Sequence, residues 1–455
     1  MKKLILITFY FIWTTSICLA QENPIEQKSI IPKNLENAVE SKIDADKDRL
    51  VEIFKGIHQD PELGFMEVKT AEIVAKELRS LGYEVKTEIG KTGVVGILKN
   101  GEGPVVMYRA DMDANAVEEK TGLSYASTKT VINNDGIEVP VGHLCGHDAH
   151  TTWLLGMAKV MVELKDNWSG TLILVGQPAE ELIEGAKAMV DDGLYTKHKV
   201  PKPEYLIGMH TTPIPTGSII CRNGSLMAGT EQLDVTFFGQ SAHGSMPQLS
   251  KDPVLMAAYA IVQYQAIISR VLDPRDPGVI TVGAIHAGTE NNTIPNEANL
   301  KLNFRFFSEE VREILYQGVK SVSEGIAKTY GMPEEKMPTI VRKGYSAPLV
   351  NDDMFTDRIA YNLSNTGLID SSSVFREFTT ILGSEDAHML VHGFQETKMA
   401  YILVGTANPE IYNRAKKEGK VVPFTPHQSN YQVDLDAITL GTKIASMIVL
   451  DILKI

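Results

Sequence analysis

The chain has 455 residues, of which 43% are hydrophobic and 22% are charged. This length exceeds what one hydrophobic core usually serves, which predicts two domains. The formal net charge of −13 argues against a nucleic-acid partner, because the phosphates would be repelled.

The first twenty residues have the pattern of a secretory signal. A basic start is followed by an apolar run from Leu4 to Ile17, and small residues lead to a cleavage point after Ala20. The apolar run is short for a membrane span, and Ile17 before Cys18 disfavours a lipoprotein. We therefore predict an exported protein, periplasmic or secreted, with a signal peptide at 1–20, a loose polar leader at 21–45 and no membrane span.

Helix and strand patterns alternate between residues 46 and 223. A helical period runs from Val68 to Leu81 and ends at Gly82. Apolar strands are predicted at Val105–Tyr108, Thr171–Val175 and Tyr205–Met209. Buried strands separated by helices predict an α/β catalytic domain with a mixed central sheet and flanking helices.

The pattern changes between residues 224 and 342. The predicted order is strand, helix, strand, strand, helix, strand, with helices at Pro253–Val271 and Glu309–Lys328. This order predicts an inserted two-layer α+β domain of the ferredoxin-like type, with one open sheet face. We expect it to act as a lid and to form a homodimer, while residues 343–455 return to the catalytic domain.

Potential metal ligands follow several of the predicted strands. Two acidic stretches at 109–113 and 177–181 follow strands, and His210 closes a third. Ligands of open α/β sheets bind beyond the carboxyl ends of the strands, so these side chains suit a divalent metal ion.

Cys145 has four interpretations from its surroundings. It could be a nucleophile, half of a disulfide with Cys221, a packed thiol or a metal ligand. The segment GHLCGHDAH, residues 142–150, surrounds it with histidines, which is unusual for a structural bridge. We therefore favour two free thiols, with Cys145 and His147 facing one zinc-like ion, or manganese or cobalt.

The motifs together resemble a known family. The chain is similar to the metal-dependent amidohydrolases and metallopeptidases that include aminoacylases, hippurate hydrolases and auxin-conjugate (IAA-amino acid) hydrolases. The resemblance covers nearly everything after Asp46 and rests on these stretches: HQDPELGF at 58–65, RADMD at 109–113, HLCGHDAH at 143–150, QPAEE at 177–181, GQSAHGSMP at 239–247, NTIP at 292–295 and GSED at 383–386.

The resemblance implies a role for each matching position. It implies two divalent ions (zinc, manganese or cobalt), with five ligands: Cys145, His147, Glu181, His210 and His427. It also implies Glu180 as general base, Asp113 as an acidic residue beside the metals, His243 as a lid histidine that meets the substrate, and Asn292 and Arg305 as substrate contacts. The implied reaction is hydrolysis of the amide bond of an N-acyl amino acid or small peptide by an activated water.

Two other functional classes remain open from the sequence. One is a hydrolase with Cys145 as nucleophile and His147 as base, although residues two apart seldom align for that purpose. The other is a non-catalytic binding protein on the same scaffold, which the presence of Glu180 disfavours. Departures from the family pattern, such as Leu144 for alanine and Gln428-Ser429 after His427, concern the substrate more than the chemistry.

Overall fold

The computed structural model describes residues 31–133 and 136–455, so the predicted signal peptide lies outside the described residues. The elements before the inserted domain are α1 Lys33–Ala45, α2 Lys47–Gln59, α3 Val68–Ser80, β1 Glu84–Ile89, β2 Gly93–Asn100, β3 Val105–Asp111, β4 Thr130–Ile132, β5 Glu138–Pro140, α4 His147–Glu163, β6 Gly170–Gln177, α5 Gly185–Asp191, β7 Tyr205–Pro215, β8 Ile219–Ile220 and β9 Gly224–Met227.

The inserted domain and the returning segment complete the chain. The inserted elements are β10 Gly229–Phe238, β11 Ala242–His243, α6 Pro253–Ala266, β12 Gly278–Ala287, β13 Thr293–Ile294, β14 Glu297–Phe306, α7 Glu309–Thr329 and β15 Thr339–Ser346. The returning elements are β16 Leu349–Asn351, α8 Asp353–Ser364, β17 Val374–Phe375, β18 Lys398–Ala407, α9 Pro409–Lys417 and α10 Asp436–Leu453.

An eight-stranded mixed sheet forms the centre of the catalytic part, in the order β1-β2-β6-β3-β7-β18-β8-β17. Strands β6, β3, β7 and β18 are parallel neighbours. Most of their side chains are buried, because separate apolar clusters cover both faces of the sheet. The predicted mixed sheet with flanking helices is therefore confirmed, and its parallel strands direct their carboxyl ends to one edge.

Helix α4 begins at this edge and carries the predicted ligand His147 as its first residue. It is buried along almost its whole length, between the sheet and α10. The two helices approach closely, since the Trp153 indole nitrogen donates to the Ala437 carbonyl oxygen at 3.0 Å. A β-carbon at Gly441 would lie 2.2 Å from the Trp153 ring, so only glycine fits this crossing.

The inserted domain is a four-stranded antiparallel sheet in the order β12-β14-β10-β15. Leu233, Val235 and Phe237 of β10 are buried against α6 and α7, while alternate residues of the strand face the open side. The order of strands and helices is the predicted one. The sheet extends from Gly229 to Ser346, so its last strand continues past residue 342, where we expected the domain to end.

The expectation of a loose leader up to residue 45 is wrong for its second part. Residues Lys33–Ala45 form α1, with Leu35, Val39 and Ile43 buried. Their spacing of four residues places them on one helical face, which packs in the same core as α4 and α10. The segment is polar in composition because its other faces are charged, and the four-residue spacing of its apolar side chains is the sequence signal for the helix.

Candidate active site

The five predicted ligands meet at the carboxyl edge of the central sheet. The sulfur of Cys145 belongs to two groups of possible ligand atoms, and within each group all atoms lie within 4.8 Å of one another. One group adds His147 and His210, and the other adds Glu181 and His427. The fold thus joins residues up to 282 positions apart into two three-residue groups with a shared thiol.

Gly146 lets the first two ligands approach strand β7. It has φ +90°, and a β-carbon there would lie 2.4 Å from the Thr211 hydroxyl oxygen. The Thr211 hydroxyl donates to the Cys145 carbonyl oxygen at 2.7 Å, which ties the loop to the strand that carries His210. Any side chain at position 146 would push Cys145 and His147 away from His210.

Hydrogen bonds set the ring orientation of His210. Its Nδ1 lies 2.6 Å from the Thr211 carbonyl oxygen, and because a carbonyl can only accept, Nδ1 carries the proton. The lone pair therefore lies on Nε2, which faces the Cys145 sulfur at 3.5 Å. This is the tautomer that a metal-binding imidazole requires.

A buried pair, Asp111 and His150, supports the same ligands and was not assigned a role from the sequence. The Thr211 amide donates to His150 Nε2 at 2.8 Å, so His150 Nδ1 is the protonated nitrogen that donates to Asp111 at 2.6 Å. The pair therefore connects β3, α4 and β7. The available signal was the position of His150 three residues after His147, on the same face of α4.

Asp113 holds the segment that carries the two adjacent glutamates. Its two carboxylate oxygens accept the amide hydrogens of Glu180 and Glu181, at 3.1 and 2.9 Å. Its Oδ1 also lies 3.3 Å from His147 Nδ1. Asp113 is fully buried, so these contacts are shielded from water. It therefore fixes the backbone of Glu180 and Glu181 and lies beside the predicted ligand His147.

Glu180 and Glu181 face the same imidazole but differ in their environments. Glu180 Oε2 and Glu181 Oε1 each lie 3.7 Å from His147 Nε2. Burial, with nearby Glu385 and Glu181, raises the pKa of Glu180 well above its ordinary value. Burial also acts to raise the pKa of Glu181, but His427 and His147 lower it to about 2. The two adjacent carboxyl groups therefore differ in their affinity for a proton, and that of Glu180 is the higher.

His427 approaches from the far end of the chain, on the loop before α10. Its backbone has φ +67°, and its amide donates to the Leu144 carbonyl oxygen at 2.7 Å. Its Nε2 lies 3.2 Å from Glu181 Oε1, and its side chain is 52% exposed. Because the side chains of His147 and Asp113 are fully buried, His427 lies on the solvent-exposed side of the ligand cluster.

A buried cationic group lies behind the site. The Arg109 guanidinium contacts Asp111 at 2.7 Å, Glu385 at 2.8 Å and Asp386 at 3.2 Å. It also donates to Gln177 Oε1 at 2.8 Å. These contacts connect the ends of β3 and β6 to the GSED segment and offset the cost of several buried carboxylates.

The donor set fits a pair of divalent ions. His147 Nε2 is buried, is surrounded by carboxylates and has no hydrogen-bond partner within the described ranges. Buried polar atoms normally have a hydrogen-bond partner, so a buried nitrogen without one is well placed to coordinate a metal ion. A thiol, imidazoles and carboxylates within 4.8 Å are the donors that zinc, manganese and cobalt bind.

The remaining predicted residues belong to the inserted domain. His243 pairs with Thr293 in a two-stranded ribbon, and the Gly244 amide donates to the Asn292 carbonyl oxygen at 2.7 Å. His243 is exposed and interacts with Ser245. Arg305, on β14, donates to the Ser384 hydroxyl of the GSED segment. Thus His243 and Asn292 are brought together, and Arg305 lies at the junction with the catalytic part.

Both described cysteines, Cys145 and Cys221, are free and buried. The prediction of two free thiols, rather than one disulfide, agrees with the structure. Cys221 directly follows β8 and is buried within the main apolar core, as expected for a packed thiol.

A mixed α/β sheet that collects thiol, imidazole and carboxylate donors at one edge is suited to bind metal ions. The profile of peptidase family M20/M25/M40 matches residues 107–449, so the chain belongs to this family of metal-dependent hydrolases that act on amide or peptide carbon–nitrogen bonds. Hippurate hydrolase of Campylobacter jejuni is 41% identical over 274 residues, 60% of this chain and 68% of that protein.

Two further relatives agree with this assignment. IAA-amino acid hydrolase ILR1-like 4 of Arabidopsis thaliana is 35% identical over 347 residues, 74% of this chain and 73% of that protein. The crystal structure of Bacillus subtilis YXEP, described as a dinuclear metal binding peptidase from the M20 family, has a TM-score of 0.68 and 25% identity, and it covers 90% of this chain and 99% of that one. The family resemblance expected from the motifs is confirmed.

Proposed function

We propose that the protein is an exported dinuclear-metal amidohydrolase that cleaves the amide bond of N-acyl amino acids or small peptides. The observation that carries this proposal is the pair of ligand groups that share Cys145, with the carboxyl group of Glu180 beside them. The relatives named for hippurate and for IAA-amino acids support the substrate class, since both names describe acylated amino acids.

The residues of this chain divide the catalytic work between them. Cys145, His147, Glu181, His210 and His427 would hold the two ions, with zinc, manganese and cobalt as the candidates. Bound divalent ions supply Lewis acidity, which lowers the pKa of a water molecule and polarises an amide carbonyl.

Glu180 is the proposed proton carrier. Its buried carboxylate takes the proton of the attacking water and later delivers it to the leaving nitrogen. The position of Glu180 Oε2, 3.7 Å from His147 Nε2, places this carboxyl group beside the ligand groups for both steps. Asp113 keeps the carboxylate in place through the amide hydrogen of Glu180. His243 donates to the developing oxyanion when the lid meets the substrate, and Asn292 and Arg305 contact the substrate.

Exchanging Glu180 and Glu181 for glutamine, separately, tests the proposal. Glu180→Gln keeps the shape and loses the proton acceptor, so we expect the rate to fall by roughly 10²–10⁴ with metal retained. Glu181→Gln should lose metal as well as rate. Glu184→Gln, an exposed change in the same loop, is the matched control and should behave as wild type.

The measurements are initial rates on a panel of N-acyl amino acids and dipeptides, and metal analysis by mass spectrometry. If Glu180→Gln loses its metal while Glu181→Gln retains it, then Glu180 is the ligand and Glu181 the base, the reverse of the proposal. Turnover that persists after chelation and stops on alkylation of Cys145 would instead support the cysteine nucleophile. No turnover of any panel substrate would favour a binding protein.

We also propose a homodimer formed through the lid. Helix α6 contains no charged residue, and Leu255, Tyr259 and Val262 on its outer face are 45%, 52% and 70% exposed. Strand β12 is an edge of the lid sheet, so its outer backbone groups can pair with another strand. A second copy in twofold symmetry would cover both features together.

The apolar helix has another interpretation by composition. Pro253–Val271 has a mean hydropathy of 1.3 and is long enough to cross a membrane, with 28% of the stretch buried. Its buried side chains pack on the lid sheet, which favours a covered helix of a folded domain. Val262→Glu should give monomers by light scattering, whereas Met354→Glu, at a similarly exposed apolar position of α8, should not. Unchanged mass for Val262→Glu would argue against this interface.

Export is tested at the amino terminus. We expect secreted or periplasmic material to begin near Gln21, as read by amino-terminal sequencing. Soluble cytoplasmic protein that retains Met1 would contradict export.

A further inference from the structure

Glu67 lies fully buried at the first position before α3, yet its carboxylate does not cap that helix. The capping contacts are made by Glu62, whose carboxylate oxygens accept the amides of Lys69 and Thr70 at 3.1 and 2.9 Å. A buried carboxylate is costly unless it is well satisfied, so Glu67 is retained in the core for other contacts.

Those contacts come from three loops that surround the active site. Glu67 Oε1 accepts the amide hydrogen of Phe65 at 2.9 Å and that of Ala179 at 2.7 Å. Its other oxygen accepts the hydroxyl of Thr92. Ala179 immediately precedes the two glutamates of the candidate site.

Both amide donors belong to residues with strained backbones. Phe65 has φ +63° and Ala179 has φ +49°, a region that non-glycine residues seldom occupy. Such conformations persist only when the surroundings hold them in place, and they concentrate at functional sites. One buried oxygen, Glu67 Oε1, is the acceptor that these two strained residues share.

Asp113 completes the arrangement from the other side. Glu67 accepts the amide hydrogen of Ala179, and Asp113 accepts those of Glu180 and Glu181. Two buried carboxylates therefore bind three consecutive amides. The direction of the Glu180 and Glu181 side chains follows from this turn. Asp113 was expected beside the metals, whereas no motif or comparison assigns Glu67.

We propose that Glu67 is a positioning residue, which holds the turn at Ala179 so that Glu181 can bind its ion and Glu180 can reach the water. The proposal rests on the roles proposed above for these two glutamates. It concerns hydrogen-bond geometry, and it predicts that the shape of residue 67 matters more than its charge.

Two conservative variants separate shape from charge. Glu67→Gln keeps an oxygen for both amides and places its amide group toward the Thr92 hydroxyl, which can accept a hydrogen bond. Glu67→Asp keeps the charge but shortens the side chain, so it cannot reach both amides. Glu62→Gln and Glu62→Asp are matched controls, because the Glu62 carboxylate accepts amide hydrogens of α3 and not that of Ala179.

The first readout needs no substrate. Chelator-treated full-length protein is titrated with cobalt, and the charge-transfer band of the Cys145 thiolate reports each ion bound. We expect Glu67→Asp to weaken the binding of one of the two ions by roughly 10–100-fold, the usual effect of losing a group that orients a ligand. Glu67→Gln and both Glu62 variants should keep wild-type affinity.

The second readout is kcat against KM on the best panel substrate. Glu67→Asp should lower kcat with little change in KM, and Glu67→Gln should restore it. The proposal is overturned if Glu67→Asp binds cobalt and turns over like wild type, or if Glu67→Gln is the damaged variant. If wild type binds two cobalt ions but cleaves nothing, the proposed function fails while the cobalt titrations still decide the role of Glu67.

Discussion

His58 offers a test of how a buried ion triad stabilises the catalytic part. Its Nδ1 lies 2.6 Å from Asp148 and its Nε2 lies 3.1 Å from Glu119, with all three side chains buried. Asp148 follows His147 in the first turn of α4. Burial alone would lower the pKa of His58, but the hydrogen bonds to these two carboxylates raise it to about 9 from 6.5.

The raised pKa translates into stability with a definite sign. The folded state holds the proton more tightly than the unfolded chain, so the stabilisation is complete below pH 6.5 and is lost as pH rises to about 9. At about 1.4 kcal/mol for each pKa unit, the rise corresponds to roughly 3 kcal/mol of unfolding free energy. Other groups titrate in the same range, so a comparison with a variant is needed to isolate His58.

The variant is His58→Gln, which keeps a hydrogen-bonding side chain and cannot carry the charge. Urea unfolding of both proteins, in the same metal-free state, gives the difference in unfolding free energy at each pH. We expect wild type to be the more stable protein below pH 6.5, and this advantage to shrink by roughly 3 kcal/mol above pH 9. A difference that is constant across this window, or that grows with pH, would refute the reasoning.

Three further predictions concern the site itself. Gly146→Ala should lower metal content and destabilise the protein by roughly 2–5 kcal/mol, because it combines a left-handed φ with a 2.4 Å approach to Thr211. Gly122→Ala, which has φ +74° in open space, should cost only about 1–2 kcal/mol by thermal unfolding; equal losses would show that the close approach is unimportant. His243→Ala should lose turnover and keep its metal by mass spectrometry, and loss of metal would mean that this histidine is a ligand. Chelation should lower Tm, and added zinc, manganese or cobalt should restore it, because the ions bind only the folded chain; an unchanged Tm would contradict a metal site.

Much of the molecule can be read from the sequence because it depends on local pattern. Apolar runs such as Thr171–Val175 and the alternation at Leu233, Val235 and Phe237 predict strands, since they reflect which faces are buried. The residue types of the ligands follow from motif chemistry, so Cys145 and His147 are recognisable as donors before any fold is known.

What needed the tertiary structure is which distant residues meet. The sequence does not place His427 against Cys145, because the loop before α10 reaches Leu144 only after α4 and α10 have packed. Nor does it reveal that Glu67 binds Ala179, since their contact depends on three loops and on backbone strain that no periodicity encodes. Helix α1 combines both levels, because the spacing of Leu35, Val39 and Ile43 can be read in the sequence, whereas the core that buries this stripe is known only from the packed structure. Local pattern determines element type and donor chemistry, whereas long-range packing decides which donors share one site, because contacts between residues far apart in the chain arise only from the folded arrangement.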